Sequence, residues 1–316
     1  MAKENQQQQG FKTSIGGQAL IEGVMMRGPK LQGIAVRTAD GIVTKTEELK
    51  LIRDKYPILA LPLIRGAVTF IDSMAKGVSA LMYSAELIPE DEQGEPDKLD
   101  KWIEEKFGWD KAQKIIVVVA VVLGIALSVG LFMLLPTLLA GFLSGLVSNV
   151  ILRNLIEGAF RISIFLIYMT AVSYMKDVKR MFSYHGAEHK TIYCYEKGLP
   201  LTVENVRVQP REHPRCGTSF MFVVMIVSIL VFSFVSWQNA IIRMVLRIAL
   251  LPLVVGISYE INRFTGRHDN TFTRLISAPG RALQKLTTNE PDDSMIEVAI
   301  EALTLVIPEE AGTDAW

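Results

Sequence analysis

The sequence predicts a mainly α-helical membrane protein with about four transmembrane helices and a small cytosolic α+β portion. Three observations lead to this fold class. Half of the 316 residues are hydrophobic, residues 115–152 contain no charged side chain, and Lys and Arg are concentrated between the apolar stretches. The net charge is zero, so no overall electrostatic field points to a nucleic-acid partner.

The N-terminal part is expected to be cytosolic. Residues 1–13 are polar and are predicted to form a disordered tail. Residues 14–89 are predicted to hold a β-hairpin and an amphipathic helix. The hairpin is indicated by the segments 34–38 and 42–46, which flank Asp40-Gly41, a pair typical of a type I′ turn.

The amphipathic helix is indicated by apolar residues that recur at helical spacing from Ile64 to Met82. Such a helix either lies on the membrane surface or packs on the hairpin. The next segment, 90–110, is acidic at its start and is predicted to be a linker and pre-membrane segment.

The charge-free stretch is too long to be one ordinary span. A straight helix over 115–152 would reach ~57 Å, against a hydrocarbon core of about 30 Å. Pro136 predicts a break in this helix, so that a span at 115–135 is followed by a short helix or re-entrant piece. The region 111–175 is therefore predicted to hold the first two spans with a broken helix between them, and 218–259 the last two.

Lys and Arg predict the orientation. They are frequent in 98–114, 176–215 and 263–285, and the connector 236–240 has none. Four spans place all three basic segments on one side, which the positive-inside rule assigns to the cytoplasm. The N- and C-termini are therefore predicted to be cytoplasmic.

Two further cytosolic segments follow from this orientation. One is a loop, 176–217, that carries histidines and both cysteines. The other is the C-terminal segment 260–316, in which Ser294 and Glu297 fit a capping box before an amphipathic helix. Reduced thiols are expected at Cys194 and Cys216, because the cytoplasm is reducing.

The pattern His-x-x-Glu-His carries the strongest chemical signal. It places His185 and His189 one helical turn apart on one face, where two imidazoles can bind one zinc ion. The intervening Glu188 is a candidate base toward bound water. The alternative interpretation is two surface histidines with a salt-bridging glutamate.

Further ligands are needed to complete such a site. His213 and Cys216 lie just before the predicted third span, and Glu260 lies at the end of the fourth, at the same membrane face. Four His/Cys ligands would give a closed, structural zinc site, whereas three ligands and water would give a catalytic one. The sequence leaves both open, and Cys216 could instead be a small core residue.

A second charged group is predicted at the other membrane face. Glu157 and Arg161 are spaced i, i+4 near the start of the second span, and Arg243 and Arg247 lie near the start of the fourth. We expect an ion pair that pins the helices together, with snorkelled arginines. A phosphate-headgroup or substrate site is the alternative.

The sequence resembles the YqhQ family, bacterial membrane proteins described as predicted metal-dependent enzymes. The resemblance is carried by four blocks that span nearly the whole chain: residues 16–29, 185–190, 213–220 and 290–293. It implies a bacterial cell membrane location and a metal-dependent activity.

These observations lead to one main hypothesis and one rival. The main hypothesis is a membrane-embedded protein with a divalent-metal site, zinc being expected, that works as a metal-dependent hydrolase. The rival is a non-enzymatic scaffold or accessory factor for membrane protein assembly or transport, in which any metal is structural. The expected partners are the lipid bilayer and either another membrane protein or a second copy of the chain.

Overall fold

The computed structural model describes residues 11–88, 109–143, 147, 149–234, 240–268, 270–310 and 312–315. Residues 90–108 of the predicted linker 90–110, most of the predicted tail 1–13 and most of the connector 236–240 lie outside these residues. Positions 109 and 110 of the predicted linker begin a helix instead. The described residues fall into two compact units. The first draws on Met1–Leu87, Met169–Ser228 and Ala249–Trp316, and the second on Ile88–Tyr168 and Ile229–Ile248.

In the described part of the chain, four strands are followed by helices. The strands are β1 (Gly16–Leu20), β2 (Gly23–Arg27), β3 (Leu31–Thr38) and β4 (Gly41–Glu48). The described helices are α1 (Ile52–Lys55), α2 (Ile64–Glu86), α3 (Trp109–Val129), α4 (Leu135–Phe142), α5 (Val150–Ser173), α6 (Lys176–Glu196), α7 (Val203–Arg207), α8 (Gly217–Ser233), α9 (Ala240–Arg267), α10 (Thr271–Thr287) and α11 (Asp293–Thr304).

The strands form one antiparallel sheet in chain order within the first unit. Successive side chains of a strand point to opposite faces, and both faces of β2 are covered. Val24 and Met26 join an apolar cluster with α6 and α11, whereas Met25 joins a second cluster with α2. The sheet is therefore the middle layer between these helices.

The single predicted hairpin is half of this sheet, and its predicted turn type is wrong. Strands β3 and β4 pair up to Thr38 and Gly41, which leaves Ala39 and Asp40 in the turn. A type I′ turn needs positive φ at both central residues. Gly41, with φ of 131°, instead follows the turn, and neither Ala39 nor Asp40 has positive φ.

Helix α2 presents its apolar side chains outward. Its buried positions are small or polar and include Gly66, Asp72 and Gly77. Ile71, on the apolar face predicted from the sequence, is 67% exposed, and Met74 is 53% exposed. The helix thus packs by its small and polar face, which is the reverse of an ordinary helix of a soluble protein.

Two boundaries near the chain ends differ from the sequence prediction. The N-cap of helix α11 is Asp292, two residues before the expected cap Ser294, and it accepts a hydrogen bond from the Met295 amide. Thr13, which the sequence prediction placed in the disordered tail, is fully buried, and its hydroxyl donates a hydrogen bond to Asp314.

Among the residues that the structure describes, three helical stretches are long and apolar enough to cross a membrane: Ile115–Phe142, Ile151–Ser173 and Met244–Arg267. The apolar helix α8 is shorter, with 17 residues. The expected break at Pro136 is absent. A π-helical turn, Gly130–Leu134, precedes this proline, and the helix continues through it. The π turn changes the hydrogen-bond register where the proline has no N–H to donate.

Candidate metal centre

The centre is built on α6, which carries His185, Glu188 and His189. The helix packs against β1 and α11 and is largely buried from Tyr184 to Cys194. The i, i+4 spacing brings the two imidazoles to one face, with ring centroids 4.4 Å apart. A rigid buried helix therefore holds both rings in place.

Cys216 completes a group of three. It precedes α8, and its Sγ atom lies 3.1 Å from Nε2 of His185. One potential ligand atom from each of His185, His189 and Cys216 lies within 4.8 Å of the other two. Among the residues that the structure describes, this is the group whose donor atoms are close enough to share one metal ion.

Backbone carbonyls orient both imidazoles. The Nδ1 atom of His185 lies 2.8 Å from the carbonyl oxygen of Thr287, and that of His189 hydrogen-bonds the carbonyl of Arg211. These contacts favour the tautomer with a proton on Nδ1, which leaves Nε2 as the donor atom for a metal. Carbonyl contacts of this kind are usual behind metal-binding histidines.

Glu188 lies beside this group with one carboxylate oxygen engaged. Its Oε1 accepts a hydrogen bond of 3.0 Å from the amide of Gly17. A Cβ atom at position 17 would lie 2.7 Å from the Met25 carbonyl oxygen and 3.0 Å from the Glu188 carboxylate carbon, so the strand approaches this closely only with glycine.

Two buried polar atoms in the site have no hydrogen-bond partner in the described part of the chain. They are Nε2 of His189 and Oε2 of Glu188. Unpaired buried polar atoms are costly, and in native proteins they call for an explanation such as an ion or a catalytic role. Both atoms belong to the residues that the His-x-x-Glu-His pattern singles out.

Opposing effects set the charges in the protein without metal. Burial lowers the pKa of His185, but the Cys216 thiolate outweighs it and raises this pKa to about 9. Burial raises the pKa of Cys216, but His185 and His189 hold it well below its usual value. The contact therefore favours the thiolate of Cys216, the form of the sulfur that binds metals, and His185 must give up any proton on Nε2 to bind one.

The pKa of Glu188 is raised, whereas that of Cys216 is lowered. Burial is the main effect on its carboxyl group and raises its pKa, although the neighbouring histidines oppose the change. A raised pKa makes the carboxylate a better proton acceptor near neutral pH.

Two predicted ligands lie outside the group of three, although the ring of His213 is near that of His189, with centroids 5.6 Å apart. Nε2 of His213 lies 3.6 Å from Glu196, whose carboxylate also pairs with Arg215. Glu260 forms a bidentate ion pair with Arg65, in which Oε1 of Glu260 lies 2.7 Å from Nε of Arg65. His213 therefore contacts the carboxylate of Glu196, and Glu260 is paired with the guanidinium group of Arg65. Cys194 is a buried thiol 3.5 Å from the Pro200 carbonyl oxygen.

Sequence reasoning missed the residues that support the site. Thr287 and Arg211 act through their backbone carbonyls, which no side-chain pattern reports. Glu196 offered one signal, because it follows His189 by seven residues and so lies on the same face of α6. The role of Gly17 depends on a close approach that only the structure reveals.

Comparison with known proteins identifies a family and a relative of the chain. The sequence profile of the family described as "Protein of unknown function (DUF1385)" matches residues 61–309. The chain is also similar to "Uncharacterized protein YqhQ" of Bacillus subtilis (strain 168), with 37% identity over 303 residues, 94% of this chain and 93% of that protein. No solved structure matches it.

Proposed function

This chain belongs to the DUF1385 family, and from that premise we propose that it is a membrane metalloprotein that binds one divalent metal ion at His185, His189 and Cys216. The observation that carries the proposal is the convergence of two Nε2 atoms and one thiolate, with each imidazole held from behind by a backbone carbonyl. Two imidazoles and a thiolate favour zinc.

The reaction that fits this arrangement best is hydrolysis. His185, His189 and Cys216 would hold the ion, and zinc bound there would supply Lewis-acid activation of water. Glu188 would accept a proton at its Oε2 atom, while the Gly17 amide holds Oε1 in place. The raised pKa of Glu188 suits this role.

A structural metal is the second candidate, and one observation favours it. The three ligands and their carbonyl supports come from α6, from the segment 211–216 and from the end of α10. An ion there would tie together three parts of the chain that are far apart in sequence. The protein would then be a scaffold or accessory factor for membrane protein assembly or transport.

The proposed setting is the bacterial cell membrane, with both termini in the cytoplasm. Three long apolar stretches and the shorter α8 support a four-span arrangement, and the Lys and Arg distribution supports the orientation. The lipid bilayer is then the main partner, beside another membrane protein or a second copy of the chain, and nucleic acid is not expected.

Metal analysis of the purified full-length protein tests the proposal. We expect about one zinc ion per chain and its loss in the double variant His185→Ala/His189→Ala. His268→Ala is the matched control, because this histidine is exposed and lies outside the group. A parent protein that neither carries zinc nor takes it up on titration contradicts the proposal.

Glu188→Gln then separates the two candidates. Glutamine keeps the side-chain shape and can still accept from Gly17, but it cannot take the proton. In a hydrolase, activity on a panel of esters, amides and phosphoesters should fall about 100-fold or more with zinc content unchanged. If the parent hydrolyses none of these substrates and removal of zinc lowers its melting temperature, the structural role is favoured.

A further inference from the structure

Helix α10 has an apolar face that is open to its surroundings. Phe272 is 62% exposed and Leu275 is 71% exposed. Pro279 and Ala282, which follow at helical spacing, are exposed on the same face. The proposed metal function makes no use of this face. In a helix of a soluble protein such a face is normally buried, so its exposure calls for an explanation.

The polar face of α10 is basic. Arg274, Arg281 and Lys285 recur at intervals of seven and four residues and so lie on one side of the helix. No acidic residue occurs between Thr271 and Thr287. An amphipathic helix with a basic polar face is typical of attachment to an anionic membrane surface. The charge of α10 therefore complements the phosphate groups of anionic lipid.

The position of α10 in the first unit fits such a surface. The helix begins four residues after Arg267, where the long apolar helix α9 ends. It then packs against the first turn of the apolar helix α8, since a Cβ atom at Gly280 would lie 2.7 Å from Cα of Ser219. Apolar helices that cross a membrane enter the lipid at their ends. Helix α10 therefore lies where α8 and α9 would meet the membrane surface.

Helix α2 borders the same two apolar helices. The ring centroids of Phe70 and Phe220 are 5.9 Å apart, which brings α2 to the start of α8. A Cβ atom at Gly66 would lie 3.0 Å from Cα of Gly256 in α9. Like α10, α2 has an outward apolar face, which includes Ile71. Two helices with outward apolar faces thus lie beside the same apolar helices, an arrangement that the surface of a bilayer explains.

The inner face of α10 holds one part of the metal centre. Gln284 is fully buried, and its side chain accepts a hydrogen bond of 2.6 Å from the His213 amide. The same side chain donates to the His213 carbonyl at 2.7 Å and to the Ser219 hydroxyl at 2.8 Å. These three bonds hold both ends of the short segment that carries Cys216.

The end of α10 supports a second ligand. One turn after Gln284, the Thr287 carbonyl oxygen lies 2.8 Å from Nδ1 of His185. One helix thus positions His185 and Cys216, which are 31 residues apart in the sequence. Any movement of α10 away from the protein would release both ligands from their supports. Outer contacts that hold α10 in place therefore stabilise the arrangement that binds metal, by thermodynamic linkage.

We propose that the apolar face of α10 docks on the anionic lipid of the cytoplasmic leaflet, and that this contact raises the metal affinity of the centre. Phe272 and Leu275 enter the acyl region, while the three basic side chains reach the lipid phosphates. The statement about affinity rests on the proposed metal function, whereas the lipid contact does not. By linkage, metal binding in turn strengthens the docking of α10.

Fluorescence quenching tests the lipid contact without metal. The full-length, metal-free protein carries a bimane label at Phe272→Cys or at Lys285→Cys, in nanodiscs that contain lipid brominated on its acyl chains. Bromine quenches a fluorophore that it contacts, so the label at position 272 should lose more fluorescence than the label at position 285, which lies on the basic face. Cys194 and Cys216 are buried, which limits background labelling. Equal quenching at both positions would overturn the docking.

Zinc affinity in two lipid mixtures tests the effect on the metal centre. A competing chelator measures the affinity in nanodiscs of phosphatidylcholine alone and of phosphatidylcholine mixed with phosphatidylglycerol in equal amounts. We expect about fivefold tighter binding in the anionic mixture. Zinc attracted to the lipid charge would mimic this gain, so the decisive variant is Leu275→Gln, which keeps every charge and should lose most of the gain. The same gain in Leu275→Gln, or no gain in the parent, contradicts the proposal.

Val208→Gln is the matched control. This side chain is 78% exposed in the first unit and lies outside α10, so its replacement should preserve the gain. A loss as large as that in Leu275→Gln would show that the effect is not specific to α10 and would overturn the proposal. Both positions are on the surface, so both variants are expected to fold.

Gln284→Met tests the route from α10 to the ligands. It removes three hydrogen bonds and should weaken zinc binding about tenfold, while a label at position 272 stays quenched. An unchanged zinc affinity would contradict this route, and Leu275→Gln carries the test if Gln284→Met does not fold. A parent protein that binds no zinc in either mixture refutes the proposed metal function, and the affinity effect with it, whereas quenching in the metal-free protein still decides the lipid contact.

Discussion

At the scale of single residues, the buried pair of His213 and Glu196 gives the protein a dependence on acid. Burial lowers the pKa of His213 to about 4, although Glu196 partly opposes this effect. The unfolded chain has a histidine pKa near 6.5, so between pH 6.5 and 4 the unfolded state binds the proton and the folded state does not. Stability therefore rises with pH across this window and is lost as the pH falls.

We expect His213→Gln to flatten this acid dependence. The full effect of His213 is about 3 kcal/mol, since each pKa unit corresponds to about 1.4 kcal/mol. The measurement is the thermal unfolding midpoint of parent and variant in detergent from pH 7 to 4, with His268→Gln as the exposed control. An unchanged slope in His213→Gln would show that other groups set the acid response.

Only the site residues that lie close together in the sequence could be predicted to lie close together in the structure. His185, Glu188 and His189 are one turn of a helix, so their spacing defines their geometry. Cys216 and His213 are three residues apart and were equally plausible as the next ligand. The choice between them depends on Glu196 and Arg215, which attract His213, and this long-range contact leaves no mark in local spacing.

At the scale of elements, helix α2 is expected to contact the membrane surface. Its apolar face is exposed at Ile71 and Met74, while its small and polar face packs within the protein. The periodicity predicted the helix but could not tell which face would be buried. Apolar patterning normally assigns that face to a core, and the reversal is explained if the apolar face lies on the bilayer surface.

A nitroxide label tests this arrangement. A label at Ile71→Cys in liposomes should be reached by oxygen, which concentrates in lipid, more than by a water-soluble nickel chelate. A label at Ser79→Cys, an exposed polar position of the same helix, should show the reverse. Equal accessibility at the two positions would argue against contact with lipid. Cys194 and Cys216 are buried, which limits background labelling.

The other elements show where sequence reasoning worked. Long uniform apolar stretches predicted the positions of α5 and α9, because few folds other than a membrane helix use them. Helix α9 nevertheless continues to Arg267, eight residues beyond the predicted end at 259. Strands β1 and β2 were missed, because the glycine-rich segment 16–27 has little polar and apolar alternation. At Pro136 the sequence predicted a break, but the preceding π-helical turn allows the helix to continue.

At the scale of the whole molecule, the four-span orientation makes a direct prediction. Reporter fusions after Lys179, after Arg267 and at the C-terminus should report the cytoplasm, because the basic segments remain inside. A fusion at Asn239 should report the outside. A cytoplasmic signal at Asn239 would reduce the number of spans and would place the start of α9 on the other side.

The division of the first unit into three separate parts of the chain has a consequence for synthesis. The carbonyl of Thr287 that orients His185 lies 102 residues further along, and α11 covers the sheet last. At about 5–20 residues per second, translation separates the two halves of this contact by roughly 5–20 s. During that interval the ribosome must deliver two more apolar helices while β2, β3 and α6 still lack their cover. The nascent first unit is thus incomplete until the chain is almost finished, and we expect it to need protection by chaperones until α11 has been made.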